Sequence, residues 1–354
     1  MAQSQSAISN WLDRDFYERG AFLTSPNGES ITFGKGGSFA MVEKFYNTSS
    51  PVFYLKDFFK STYLAYIPEE FLSVPSEDVL SYLKKNPRPH TPFSSLSNDD
   101  DIYQKDFALL KNAFGQNLEK VVLVSRETYG SFEGDKTIKH LIARSVNFGT
   151  GLPYGFWDKQ YGVIGSTPEL LYSIQEGKLQ TFALAGTAKE GQELDLLNSS
   201  KDRLEHNLVI KDIAEKLKPF THDLVICETA IHSYKDIIHL KTDLNAKVQP
   251  LVDLTELTNT LSPTAALGGY SKNAALDFLK QTHYSSKYTG RYFGSAFGLI
   301  APDIKQFIVS IRNVQWEGPH LYIESGGGVV PESHLEKELE EIHLKRNTIR
   351  KHYL

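Results

Sequence analysis

Strand-like and helix-like runs do not alternate along this chain, and that order limits the fold more than any other feature. Short β-branched and aromatic runs occur at residues 38–45, 51–54, 121–124, 162–164, 178–184, 307–312 and 321–323. Apolar residues recur at helical spacing over 102–114, 199–217, 273–279 and 333–353. Several strands follow one another with no helix between, which argues against a doubly wound parallel sheet and predicts an α+β fold. With 354 residues, 40% of them hydrophobic, the chain can fill one large core or two smaller ones. Between Asn86 and Asp101 lie Pro87, Pro89, Pro92, Ser94, Ser95, Ser97 and an Asn-Asp-Asp-Asp run. That composition reads as an exposed segment ending in a helix N-cap. We take it as a surface loop within one domain, because the roughly 85 residues before it look short of helices.

The formal charge of −5 argues against a nucleic-acid partner, which would favour a basic surplus. No apolar run approaches the roughly 20 residues that span a bilayer. The opening Met-Ala-Gln-Ser-Gln-Ser has no basic stretch leading into an apolar one. A cytoplasmic protein acting on a small molecule is the expectation. Cys227, the single cysteine, follows Leu224-Val225-Ile226, so it is expected in the core and can form no internal disulfide.

Six segments carry possible chemistry. Glu338, Glu341 and Lys345 fall on one face of the last helix, and Asp202 and Glu205 have the same three-residue spacing in an earlier one. Two such helices can hold one hard cation with oxygen ligands; each alone reads more readily as a solvated, salt-bridged face. Gly326, Gly327 and Gly328 follow a predicted strand and precede the last helix, as in a backbone cradle for an anion or a plain tight turn. Arg312 ends a strand, where it can grip a carboxylate or make a surface ion pair. Glu169, after Ser166-Thr167-Pro168, sits where burial would raise its pKa for general-acid work, and Lys120 opens an apolar strand as a candidate base. Either can instead be a strand-end charge in water.

In this order, the motifs resemble those of the chorismate-binding enzymes, the isochorismate, salicylate, anthranilate and aminodeoxychorismate synthases. The carrying residues are Lys120-Val-Val-Leu, Ser166-Thr-Pro-Glu169-Leu-Leu, Leu184-Ala-Gly-Thr187, Lys201-Asp-Arg-Leu-Glu205-His206 and His239-Leu-Lys-Thr242. They continue through Leu261-Ser-Pro-Thr-Ala-Ala-Leu-Gly-Gly269, Tyr292-Phe-Gly294, Ser310-Ile-Arg312, Gly326-Gly-Gly-Val-Val330 and Glu338-Leu-Glu-Glu341 with Lys345. The match covers residues 102–354, the catalytic region, and residues 1–101 correspond to the variable N-terminal part of the same domain. The resemblance implies one large α+β domain of packed antiparallel sheets with helices outside. It implies Mg²⁺ held by Glu205 and Glu341, with Asp202 and Glu338 behind them. Gly186 and Thr187 would lie against the ring carboxylate of chorismate. Tyr292, Arg312 and the backbone of Gly326, Gly327 and Gly328 would hold the pyruvyl carboxylate.

Lys120 stands where water-adding members carry a lysine base, and Ala185 where aminodeoxychorismate synthases carry a lysine nucleophile. Both positions favour water over ammonia, hence an isochorismate synthase, an isomerase with no obligatory amidotransferase subunit. Lys120 would activate water for attack at C2 and Glu169 would protonate the departing C4 hydroxyl. The alternatives are a salicylate synthase, an amine-forming member or a non-catalytic chorismate binder, and menaquinone and siderophore synthesis both remain open as the pathway served. The chain departs from the family pattern at Ser262, in place of a histidine, and at Phe297, in place of a glycine. The segment between Gly186 and Glu205 is also shorter than in many relatives.

Overall fold

The computed structural model describes residues 8, 11–12, 14–46, 48–85, 93–115, 117–130, 132–288 and 291–354. Among them the chain forms two antiparallel sheets, each of ten strands. The first runs in the order Gly269–Tyr270, Lys120–Tyr129, His320–Val329, Asn313–Glu317, Tyr161–Thr167, Leu152–Trp157, Gly20–Thr24, Ser30–Lys35 and Glu70–Pro75, with Ser95–Asn98 also on Lys120–Tyr129. The second runs Thr221–Ile226, Ile237–Val248, Lys178–Lys189, Leu170–Gln175, Ile304–Val309, Ala296–Ala301, Val52–Lys56, Tyr63–Ile67 and Ser38–Val42, with Ala230–Tyr234 also on Ile237–Val248. Strands from the first hundred residues thus complete both sheets.

The sheets face each other across a shared core in which Leu23, Tyr154 and Phe156 of one meet Phe53, Phe297 and Leu299 of the other. Burial on both faces explains why Ala296–Ala301 is apolar throughout instead of alternating. The outer face of the first sheet packs on the helices Asp135–Val146 and Leu335–Tyr353 through Ile138, Leu141, Ile142 and Ile349. The second is covered by Ser200–Leu217 and Leu254–Leu261 through Val209, Ile213, Leu257 and Leu261. Local chemistry fixes the helix starts. The Ser199 hydroxyl accepts the Asp202 backbone N–H, and the Asp253 carboxylate accepts those of Thr255 and Glu256. The last helix has Glu336 and Glu338 in its first turn and Arg350 and Lys351 in its last, which suits its dipole. No described helix is long and apolar enough to cross a membrane.

Three expectations change. Cys227 is exposed, because Thr221–Ile226 is an edge strand whose Val225 and Ile226 also face outward. Gly326, Gly327 and Gly328 lie inside the strand His320–Val329, paired with Val124, Leu123 and Val122, and form no loop. The segment before residue 86 holds the helices Arg14–Glu18 and Ser76–Lys85. Of the proline-rich loop, residues 86–92 lie outside the described residues; its end forms Ser95–Asn98 and then Asp99, which precedes the helix Asp100–Ala113 without a side-chain cap bond.

Candidate active site

A cleft opens where Lys178–Lys189 and His320–Val329 meet the helix Ser200–Leu217. Lys120 is fully buried behind it, its Nζ 2.9 Å from Glu205 Oε1. That is an ion-pair distance without the alignment of a hydrogen bond. Gly328 leaves room for the pair, since a Cβ there would stand 2.2 Å from Glu205 Oε1 and 2.8 Å from Lys120 Cε. Gly326 and Gly328 line the cleft, whereas a Cβ on Gly327 would meet Glu338 Oε2 and the Tyr103 hydroxyl on the opposite face, as alternation along a strand requires. Gly328→Ala is expected to fold at an overpacking cost of about 1–3 kcal/mol while forcing Glu205 and Lys120 apart. Steady-state kinetics should then show at least a roughly tenfold fall in kcat, with circular dichroism unchanged.

Glu169, between Tyr161–Thr167 and Leu170–Gln175, is buried in the cleft wall. Thr264, from the Ser262-Pro263-Thr264 turn, donates its hydroxyl to Glu169 Oε1 at 3.2 Å. Burial pushes the Glu169 carboxyl up to about 7, against the opposing pull of the Thr264 hydrogen bond and the Lys120 and Arg312 charges. The carboxyl therefore keeps its proton to higher pH than an exposed glutamate does.

Arg312 falls beyond the end of Ile304–Val309, buried, with φ +56°. A left-handed arginine is a strained residue that its surroundings must hold. Its NH2 donates to His239 Nε2 at 3.2 Å, so the imidazole hydrogen is on Nδ1, which donates to Gly186 O at 2.9 Å. Burial, reinforced by the Arg312 charge, keeps His239 well below the usual histidine range and therefore neutral. Arg312 Nε is buried and has no hydrogen-bond partner among the described residues. Gly186 has φ +72° at a bulge where the register against Ile237–Val248 slips between Ala185 and Thr187. The bulge turns Gly186 and Thr187 to the cleft.

Beyond the cleft lies an outer vestibule lined by Thr187, Lys201, Asp202, Glu338 and Glu341. Here the carboxylates of two helices gather around one ammonium. Lys201 Nζ stands 3.0 Å from Glu338 Oε1, 3.8 Å from Glu341 Oε2 and 3.9 Å from Glu205 Oε2. Lys345 adds a second cation, 2.5 Å from Glu341 Oε1 and 2.9 Å from Gly326 O. Burial opposes ionisation of Glu341, but Lys345 and Lys201 outweigh it and hold the carboxylate below its usual range. Burial and then the Glu341 charge push Glu338 up. Asp202 stands aside, its carboxylate taking the Ser199 hydroxyl.

No group of three or more His, Cys, Asp or Glu among the described residues is arranged to hold a metal ion. The donor chemistry nevertheless fits a hard cation. Three carboxylates surround one positive charge, and the buried Glu205 Oε2 and Glu338 Oε2 lack hydrogen-bond partners among the described residues.

The structure thus brings together Lys120, Glu169, Glu205, Gly186, Thr187, Arg312, Gly326 and Gly328, with Glu338, Glu341 and Asp202 at the entrance. Gly327 faces away. Tyr292 is not brought in; it lines a separate cleft with Tyr161, Arg126 and Trp316. Phe293, its neighbour, lines the active cleft instead. Ser262 is buried outside the lining and Phe297 belongs to the core between the sheets. Sequence reasoning gave no role to His239, Lys201 or Thr264, although all three stand inside the motifs that carried the resemblance.

A family model described as chorismate binding enzyme matches residues 76–352. The chain belongs to that family. Among its relatives, the salicylate biosynthesis isochorismate synthase of Pseudomonas aeruginosa is 32% identical over 196 residues, covering 53% of this chain and 41% of that one. The isochorismate synthase MenF of Escherichia coli is 28% identical over 66% of this chain and 55% of its own. Anthranilate synthase component 1 of Aquifex aeolicus is 26% identical over 62% and 46%. The matched stretch spans about half the length of these relatives. The solved structure of E. coli MenF superposes with a TM-score of 0.80 at 18% identity, covering 98% of this chain and 92% of that one. A Bacillus anthracis structure described as a putative 2,3-dihydroxybenzoate-specific isochorismate synthase gives 0.78 at 20%, covering 98% of both chains. Both share the fold.

Proposed function

We propose that this chain is an isochorismate synthase, adding water to C2 of chorismate with loss of the C4 hydroxyl. The observation that carries the reading is Glu169, a carboxyl held partly protonated at neutral pH inside a cleft that also presents Arg312 and Lys345. Those two cations suit a dicarboxylate. Arg312, oriented by His239, grips one carboxylate of the substrate with its guanidinium. Thr187 and the Gly186 bulge face the other end. Mg²⁺ held by Glu205 and Glu341, with Asp202 and Glu338 behind them, would neutralise the ring carboxylate.

Lys120 acts as the base once Glu205 turns from it and its ammonium has released a proton to solvent. Its amine takes one proton from water as the oxygen bonds to C2, both ring double bonds shift, and the C4–O bond breaks. Glu169 gives its proton to the departing hydroxyl, which leaves as water. Moving one proton from Lys120 back to Glu169 restores both groups. Ala185 in the cleft wall has no nucleophile to offer, which supports water over a covalent route.

The test is incubation of the purified chain with chorismate, with and without Mg²⁺ and ammonium, and chromatographic separation of products. Isochorismate alone, lost with the metal, is expected. Salicylate with pyruvate would identify the lyase-bearing relative of this activity, and an aminated product would overturn the role of Lys120. Metal-dependent chorismate binding without turnover would identify a binding protein.

A further inference from the structure

We propose that Lys201 is a built-in cation that holds the acidic cluster together in the free protein and competes with a divalent metal for it. The inference rests on the reading of Glu205, Glu338 and Glu341 as a metal site. Each outer carboxylate oxygen in the cluster faces Lys201, at 3.0, 3.8 and 3.9 Å. Lys120 and Lys345 already serve Glu205 and Glu341 from the other side. Lys201 is therefore the shared charge, and without it three closely grouped carboxylates would repel one another.

A magnesium ion needs oxygens at about 2.0–2.1 Å. The carboxylates must close by an ångström or more, and the ammonium cannot remain among them. Lys201 has somewhere to go. It sits in the first turn of Ser200–Leu217, lines the vestibule, and keeps 27% of its side chain exposed, whereas Lys120 is sealed in at 0%. Displacement into the vestibule would let the lysine leave as metal arrives from the same side. Apparent metal affinity is lowered by the fraction of molecules in which the lysine is in place.

Binding of Mn²⁺ to the full chain, read by the electron spin resonance of free Mn²⁺ in the absence of chorismate, tests this directly. Lys201→Met is expected to bind at least about tenfold more tightly than wild type, as when the competent state rises from roughly a tenth to all molecules. Lys201→Arg, which keeps the charge, is expected to bind no more tightly than wild type. Should the Met variant fail to fold without metal, the wild-type protein still gives an answer. Acetylation of Lys201 by an acylating reagent, read by mass spectrometry, is expected to rise when Mg²⁺ is added, because the released amine leaves its ion pairs. Equal or weaker Mn²⁺ binding by Lys201→Met, or acetylation that stays level or falls with Mg²⁺, overturns the role of Lys201. No Mn²⁺ binding by wild type or variants overturns the metal site itself.

Discussion

Lys120→Met is expected to lose turnover of chorismate by about 10²- to 10⁴-fold, the span associated with removing a general base. Methionine keeps the length of the buried stem and removes the amine that stands 2.9 Å from Glu205. The change also strips a buried carboxylate of its nearest counter-charge. Breaking such a pair costs on the order of 3–5 kcal/mol, although Lys201, 3.9 Å from Glu205 Oε2, offsets part of it. A lower melting temperature should therefore accompany the loss of rate. Measuring kcat well below the new melting point, on material whose circular dichroism matches wild type, separates the two effects. A Lys120→Met protein that turns over at the wild-type rate would sink the assignment of the base.

Glu169→Gln is expected to fall by a similar factor and to change the pH profile in a way no packing defect would. The acid form is the active one, and burial holds the carboxyl up at about 7. Wild-type kcat/KM should therefore fall above that pH, about tenfold per pH unit once well past it. The glutamine variant should lack that limb. Stability follows with the same sign. The folded protein keeps the Glu169 proton up to about pH 7, whereas the unfolded chain releases it near the ordinary glutamate value of 4.5. The contribution is complete below 4.5 and is lost as pH rises through 7, amounting to roughly 3 kcal/mol at most. Urea unfolding of wild type and Glu169→Gln across that window should show the wild type losing more stability as pH rises. An unchanged basic limb in the variant would remove Glu169 as the acid.

Much of the fold was legible because apolar patterning survives in each element. The long helices ending at Leu217 and Tyr353 were readable from 3.6-residue spacing. Helices such as Asp135–Val146 and Leu254–Leu261 were not, since their apolar faces are short and set among strands. Cys227 misled because an apolar run on an edge strand looks the same as one in the core.

The site divides along a similar line. Side-chain chemistry and the order of motifs named Lys120, Glu169, Arg312 and the two carboxylate pairs, because residue type and spacing can be read along the chain itself. Only the tertiary structure decided what each group touches. It buried Lys120 against Glu205, turned Gly327 from the cleft and sent Tyr292 to another one. It also set His239 on Arg312 and Lys201 among three carboxylates. These are contacts between residues far apart in the chain, fixed by strand register and helix placement, and no local pattern records them. Sequence determined the inventory of charges; the fold decided which charge faces which.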